Sequence, residues 1–249
     1  MKPLVSVIIP IYNHAHTIER SLNSIFKQTY RPIEIIMVDD GSTDNFKQKE
    51  KRLLEEAKKK NVNLKILYQE NSGAPCARNF GFKESQGEMV IFWDADTIGK
   101  NKMIERMYSF LTSHPEASYA YSQFRFGWKK MKSRDFSDEL LKKNNFIDTT
   151  SLMRRAVFTS FDEKLKRFQD WDLWLSLLEQ GKRGVFINQV LYKKLVRFRE
   201  GISKWLPSFA YRYFTQNTSV KKYEEAKAII LRKHYLLNEV DFASRGKKS

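Results

Sequence analysis

Cysteine occurs once in the 249 residues, at Cys76. A single thiol excludes an internal disulfide and suits a reducing compartment, with Cys76 read as a small packed residue. No apolar run approaches the roughly 18 to 20 residues that a membrane span requires. The N-terminal run 4–9 (L-V-S-V-I-I) stops at Pro10, too short for the core of a secretory signal, so the expectation is a chain that starts at Met1 in the cytoplasm. Acid is scarce beside base, 29 Asp and Glu against 45 Lys and Arg. The shortfall sits mostly in residues 182–249, where 16 basic residues face 5 acidic ones. Such a tail fits a polyanionic partner, either an anionic membrane face or nucleic acid. Repeats and low-complexity segments are missing too, while 41% hydrophobic and 14% aromatic residues exclude global disorder.

What is present is organised around residues 90–96, V-I-F-W-D-A-D. Four apolar residues make a short buried strand, and two carboxylates follow where it would leave the sheet. Acids at the C-terminal edge of a buried strand face the crevice where open α/β sheets bind ligands. Asp94 and Asp96 can share a hard divalent cation, Mg²⁺ or Mn²⁺, although an isolated D-x-D is more often a turn with capping carboxylates.

The flanking chain alternates strand and helix. Strands are expected at 4–9, 33–38 and 64–68, with Pro10 ending the first because it cannot continue a central strand. Helices are expected from Ile18 to about Gln28, after Asp44 with an apolar face of Phe46, Leu53, Leu54 and Ala57, and around Ala77 to Phe80. These spacings imply a mainly parallel, Rossmann-like sheet with helices on both faces. After Asn101 a helix (102–113) and a strand (117–124) precede the polar segment 127–145, which has no clear period and reads as a mobile loop or irregular insertion. Residues 146–153 return to the sheet, a helix runs from Asp170 toward Gly181, and 185–187 and 190–195 are short strands. Two more helices follow, one near Pro207 and one at 223–237.

Five stretches together resemble the family 2 glycosyltransferases of the GT-A fold: V-S-V-I-I-P-I-Y-N (5–13), E-I-I-M-V-D-D-G-S-T-D (34–44), A-R-N-F-G (77–81), the D-A-D strand, and F-D-E with Q-D-W-D-L-W-L (161–163, 169–175). The resemblance spans roughly 4–200. It implies a GT-A type α/β domain over 1–201, with a nucleotide-sugar half to about 114 and an acceptor half beyond, plus a basic helical extension at 202–249. It also implies inverting transfer from a nucleotide-sugar donor, UDP-linked by preference, to a glycan or lipid-linked acceptor, assisted by Mn or Mg. Pro10, Tyr12 and Asn13 would meet the nucleotide and Asp40 the uracil, whose N–H a carboxylate accepts. Asp39 instead reads as a buried acceptor tying loop amides together. Arg78 would bind phosphate or pair with Asp94, Asp94 and Asp96 would serve nucleotide and metal, and Asp170 would be the catalytic base. A cap at the start of its helix is the plain alternative for Asp170.

Three positions depart from the family pattern. Gln169 stands where Glu is usual, so like charge would raise Asp170 less. Thr97 stands where a third Asp often follows. Arg199, in R-F-R after Arg197, stands where some relatives carry a metal-touching His; an arginine cannot ligate a cation but can grip a diphosphate. Trp171 and Trp174 could stack on sugar, but their helical spacing reads mainly as core. Rival readings are a sugar nucleotidyltransferase, for which the Gly-rich phosphate loop is missing, a nucleic-acid-binding module, which the acids of the first half disfavour, and a catalytically silent relative. In the tail, aromatics of 202–214 mixed with Lys204 and Arg212 suit a peripheral segment on the cytoplasmic face of an anionic membrane.

Overall fold

The computed structural model describes residues 1–195 and 218–236. Four apolar segments fold as parallel strands: β1 (Val5–Ile11), β2 (Ile33–Asp40), β3 (Asn63–Gln69) and β4 (Met89–Phe92). They are joined by α1 (Ile18–Phe26), α2 (Phe46–Lys59) and α3 (Ala74–Lys83). The remainder supplies β5 (Thr97–Gly99), α4 (Met103–Ser113), β6 (Tyr119–Phe126), β7 (Lys129–Lys130), α5 (Asp138–Lys143), β8 (Leu152–Arg154), α6 (Gln169–Glu179), β9 (Gly184–Lys194) and α7 (Thr218–Lys233). All the described strands join one sheet in the order β3-β2-β1-β4-β8-β6-β9-β5, with β7 attached to β6. β8 runs antiparallel to both β4 and β6, β9 is parallel to β6, and β5 is antiparallel to β9.

The two-residue period of a strand sends alternate side chains to opposite faces, and the core divides accordingly. Val5, Val7 and Ile9 of β1 join Ile18 and Leu22 of α1, Phe46 and Leu53 of α2 and Met103 and Met107 of α4 on one face. Ile8, Ile36, Val38 and Phe92 meet Ala77 of α3, Leu173 and Trp174 of α6 and Ile230 of α7 on the other. From β1 the chain moves out to β3, then crosses on the opposite face to β4 on β1's other side. That reversal opens the ligand crevice of a doubly wound sheet at the C-terminal ends of β1 and β4.

Several expectations are corrected. β1 runs through Pro10 to Ile11 although it is a central strand. Its pairing with β4 ends at Ile8, so at Pro10 the strand is paired with β2 alone and the missing N–H breaks no ladder on the open side. Segment 127–145 is not structureless: β7 closes a hairpin on β6, and α5 is capped by Ser137, whose Oγ accepts the Leu140 amide at 3.3 Å. Of the stretch 146–153 only Leu152 and Met153 enter the sheet, in β8, which continues to Arg154. The two short strands near the end are one, β9, whose register against β6 shifts where Asn188 and Gln189 turn to solvent. Leu54, expected on the buried face of α2, is 37% exposed. The last described helix already includes Thr218, ahead of the expected start at 223, and the expected helix near Pro207 lies outside the described residues. Trp171 and Trp174 are core: both are fully buried, with their Nε1 donating to the carbonyls of Leu141 (2.7 Å) and Ile147 (2.9 Å). Among the described residues no helix is long and apolar enough to cross a membrane.

Candidate active site

The loops after β1 and β2 are tied together at the crevice. Asn13, in left-handed backbone (φ 55), accepts the amides of Thr43 (2.8 Å) and Asp44 (3.2 Å) on Oδ1, and its own amide donates to Ser42 Oγ at 3.0 Å. Gly41 (φ 71) allows the turn, since a Cβ there would stand 2.9 Å from the Asn71 amide nitrogen. Asp39 accepts the Ser42 amide at 3.0 Å, the loop-tying role expected of it. Asp40 is similarly committed: Oδ1 accepts Gln69 Nε2 (2.7 Å) and the Ser72 amide (2.8 Å), and Oδ2 accepts the Gly73 amide (2.9 Å). Three of its roughly four acceptor positions are therefore taken in holding the start of α3, and one remains. Tyr12 stands at the rim, 47% exposed, just beyond Pro10 in β1.

Asp94 leaves the end of β4 between two cations. Arg78 Nη2 of α3 lies 2.9 Å from Oδ1, and Lys194 Nζ at the end of β9 lies 2.7 Å from Oδ2. Burial pushes this carboxyl up, but Lys194 and Arg78 outweigh it and hold Asp94 well below the usual range. Arg78 also donates from Nη1 to Gln169 Oε1 at 3.1 Å, while its buried Nε has no partner. Asp96 meets no side-chain donor among the described residues, and burial together with the Asp94 charge pushes it up to about 6.

On the opposite side stands Asp148, which accepts Lys194 Nζ (2.5 Å), Tyr192 Oη (3.0 Å) and the Thr150 amide (2.9 Å). Asp170, in the first turn of α6, accepts Asn145 Nδ2 at 2.7 Å and the adjacent Trp171 amide at 2.9 Å. Burial and then the Asp148 charge push it up to about 6. The like charge that Gln169 withholds thus comes from Asp148 instead. Asp170 and Asp148 line a cavity of about 350 Å³ whose walls include Phe124, Lys132, Arg134 and Phe146, the first three contributed by β6 and the following 127–145 segment. A base poised near neutrality in such a cavity has the properties of a general-base site.

The structure brings Arg78, Asp94, Asp96 and Asp170 together. Trp171 lies in the core beneath them, and Arg197 and Arg199 lie outside the described residues. Sequence reasoning missed Asn145, Asp148 and Lys194. Lys194 carries a signal, since it shares a strand face with buried Tyr192 while Lys193 points to solvent, and Asp148 interrupts an apolar and β-branched run; Asn145 carries none.

Among the described residues no group of three or more acids, histidines or cysteines could hold a metal. The site is nevertheless acidic, with four carboxylates and two cations that pair with Asp94 and Asp148, and among the described residues no side chain donates to Asp96. Asp96 fits a hard cation that takes its other ligands from phosphate and water; Asp94, saturated by two cations, fits poorly.

Residues 6–174 match the family described as Glycosyl transferase family 2. Among relatives, the putative teichuronic acid biosynthesis glycosyltransferase TuaG of Bacillus subtilis is 31% identical over 82% of this chain and 84% of its own length. The UDP-Glc:alpha-D-GlcNAc-diphosphoundecaprenol beta-1,3-glucosyltransferase WfgD of Escherichia coli is 30% identical over 71% of this chain and 70% of its own. The crystal structure of S. aureus TarS 1-349 in complex with UDP superposes with a TM-score of 0.66 at 25% identity, over 79% of this chain and 61% of that one. Other curated relatives are matched in part, the chain spanning 31% and 35% of the length of two of them.

Proposed function

The chain belongs to glycosyl transferase family 2, and from that premise we propose that it is an inverting glycosyltransferase moving a sugar from a UDP-sugar to the hydroxyl of a glycan or lipid-linked acceptor. The observation that carries the reading is Asp170, pushed up to about 6 and lining a cavity with Asp148, which Lys194 links to Asp94 after β4. The acceptor enters the cavity, Asp170 takes the proton of its hydroxyl, and the oxygen forms a bond to the donor C1 as the bond from C1 to the diphosphate breaks. One displacement inverts the anomeric centre. A divalent cation, when bound, neutralises charge on the leaving diphosphate. Asp96 would hold it; Arg78, fixed by Asp94 and Gln169, orients the base of the crevice; Tyr12 offers its ring to the uracil and Asp40 its remaining acceptor position, with Pro10 and Asn13 shaping the loop.

Support for the donor and acceptor classes comes from relatives: WfgD by its name uses UDP-Glc and a diphosphoundecaprenol-linked sugar, and the TarS structure holds UDP. The basic surplus of 182–249 supports a peripheral place on the cytoplasmic face of an anionic membrane, where lipid-linked acceptors lie. Within this reading the chain has no main role in binding nucleic acid.

The test is a melting-temperature series with UDP, GDP and dTDP, with and without Mn²⁺, followed by donor hydrolysis with UDP-sugars. UDP with Mn²⁺ should give the largest rise, because a ligand of the native state stabilises it by mass action. A shift with GDP or dTDP and none with UDP would make the uridine assignment wrong, and absence of hydrolysis with any nucleotide sugar would sink the enzymatic reading.

A further inference from the structure

Lys194 joins the two halves of the site. Its Nζ lies 2.7 Å from Asp94 Oδ2 on the donor side and 2.5 Å from Asp148 Oδ2 on the acceptor side, and its side chain is 11% exposed. Among the described residues no other ion pair spans these two acids. The backbone around it is fixed on both sides: Lys194 pairs with Thr97 across β5 and β9, the Leu195 amide donates to the Asp96 carbonyl at 3.0 Å, and the Gly127 amide donates to the Lys194 carbonyl at 2.9 Å. Lys194 Nζ also lies over the Phe124 ring, 5.7 Å from the centroid. An ammonium held in this way occupies the space between carboxylates where a divalent cation would otherwise collect ligands, and two cations a few ångströms apart in a partly buried site repel strongly.

We propose that Lys194 is the resident cation of this site, a positioning residue that holds Asp94 and Asp148 together and keeps a divalent cation off Asp94. Of the D-A-D pair, Asp96 is then the carboxylate open to the metal. A single carboxylate and water bind a hard cation weakly, whereas a carboxylate with two phosphate oxygens binds it well. Metal therefore enters with the donor diphosphate rather than before it. That last step rests on the sugar-nucleotide reading above; the occupation of the carboxylates by Lys194 does not.

Mn²⁺ binding to the full chain, followed through the electron paramagnetic resonance signal of free Mn²⁺, tests the proposal in the wild type, Lys194→Gln and Lys194→Arg, each with and without UDP. Wild type and Lys194→Arg should bind Mn²⁺ weakly alone and more tightly with UDP. Lys194→Gln releases Asp94 Oδ2, with Arg78 still on Oδ1, and the Asp148 oxygen that faced the ammonium, and should bind Mn²⁺ without nucleotide tighter than wild type by about tenfold or more, since hard-cation affinity grows with carboxylate count. Mn²⁺ should also raise the melting temperature of Lys194→Gln more than that of wild type, a rescue that a merely structural lysine would not show. Equal Mn²⁺ affinity of wild type and Lys194→Gln without nucleotide would overturn the proposal. If Lys194→Gln fails to fold, Lys194→Gln/Asp148→Asn removes one charge of each sign and leaves Asp94 and Asp96 to be compared with wild type in the same way. Failure of every variant to bind UDP would count against the sugar-nucleotide reading, while the comparison without nucleotide decides the role of Lys194 by itself.

Discussion

Asp170 and Asp172 stand two residues apart on α6 in opposite circumstances. Asp170 faces the cavity, has Asn145 and one backbone amide as donors, and is pushed up to about 6. Asp172 faces the other way, toward α7, and is saturated. Lys233 Nζ lies 2.8 Å from its Oδ1, and His234 Nε2 lies 2.9 Å from the same oxygen. His234 Nδ1 reaches Glu179 at 2.7 Å, and Lys233 also pairs with Asp162 at 2.7 Å. One helix thus carries a carboxylate with no cation paired to it among the described residues, as the proposed base requires, and one given two, which clamps α7 onto the domain. The comparison teaches that a carboxylate's role here is set by what the tertiary structure pairs with it, since both lie in the same short sequence Q-D-W-D.

Breaking the first member should have the largest effect. Asp170→Asn should lower turnover by about 10² to 10⁴, the usual contribution of a general base, with UDP binding near wild type by calorimetry. Loss of UDP binding as well would assign Asp170 to the integrity of α6 instead. Breaking the second should cost stability rather than chemistry. Asp172→Ala leaves Lys233 and buried His234 without their shared acceptor and should destabilise by about 3 kcal/mol in urea unfolding, with turnover per folded molecule nearly unchanged.

The pH profile sharpens the contrast. As the proposed base Asp170 would act only when deprotonated, so kcat/KM should fall about tenfold per pH unit below about 6. Asp148→Asn removes the like charge that helps to raise Asp170 and should move that acid limb to lower pH; an unmoved limb would mean that another group titrates.

His234 supplies the smallest effect and the opposite sign. Burial alone would lower its pKa, but Asp172 and Glu179 outweigh burial and raise it. A raised histidine contributes stability that is fully present below its unfolded value of about 6.5 and is lost as pH rises through the higher folded value. His234→Gln should therefore cost about 1 to 2 kcal/mol near pH 5.5 and much less near pH 8.5, measured by urea unfolding at the two pH values. Equal cost at both would show that His234 binds its two acids without carrying charge.

Much of the first half was legible because its signals are local. Apolar runs of four to eight residues ending in Asp39, Asp40, Asp94 and Asp96 already describe strands whose carboxyl ends meet in a crevice. Errors arose where a local rule met a non-local exception. Pro10 sits in a central strand because β4 ends its pairing early, and 188–189 looked like a break because a bulge turns those polar residues outward. The second half of the site was harder, since Asn145 and Asp148 lie in a segment with no period and Lys194 looks like one more cation in a basic tail.

The sequence by itself determined the alternation of strand and helix, the acids at the strand ends, Asp170 at the start of α6, and the likeness to a family, all of which are patterns within a few residues of one another. Only the tertiary structure decided that Lys194 would sit between Asp94, 100 residues away, and Asp148, 46 residues away, and that Asn145 would orient Asp170. Those meetings follow from the strand order β6-β9-β5, which brings the end of β9 beside Thr97 and the D-A-D turn. Strand order is settled by which apolar faces pack together across the whole sheet, and a charge buried there is tolerated only where that packing supplies its partner.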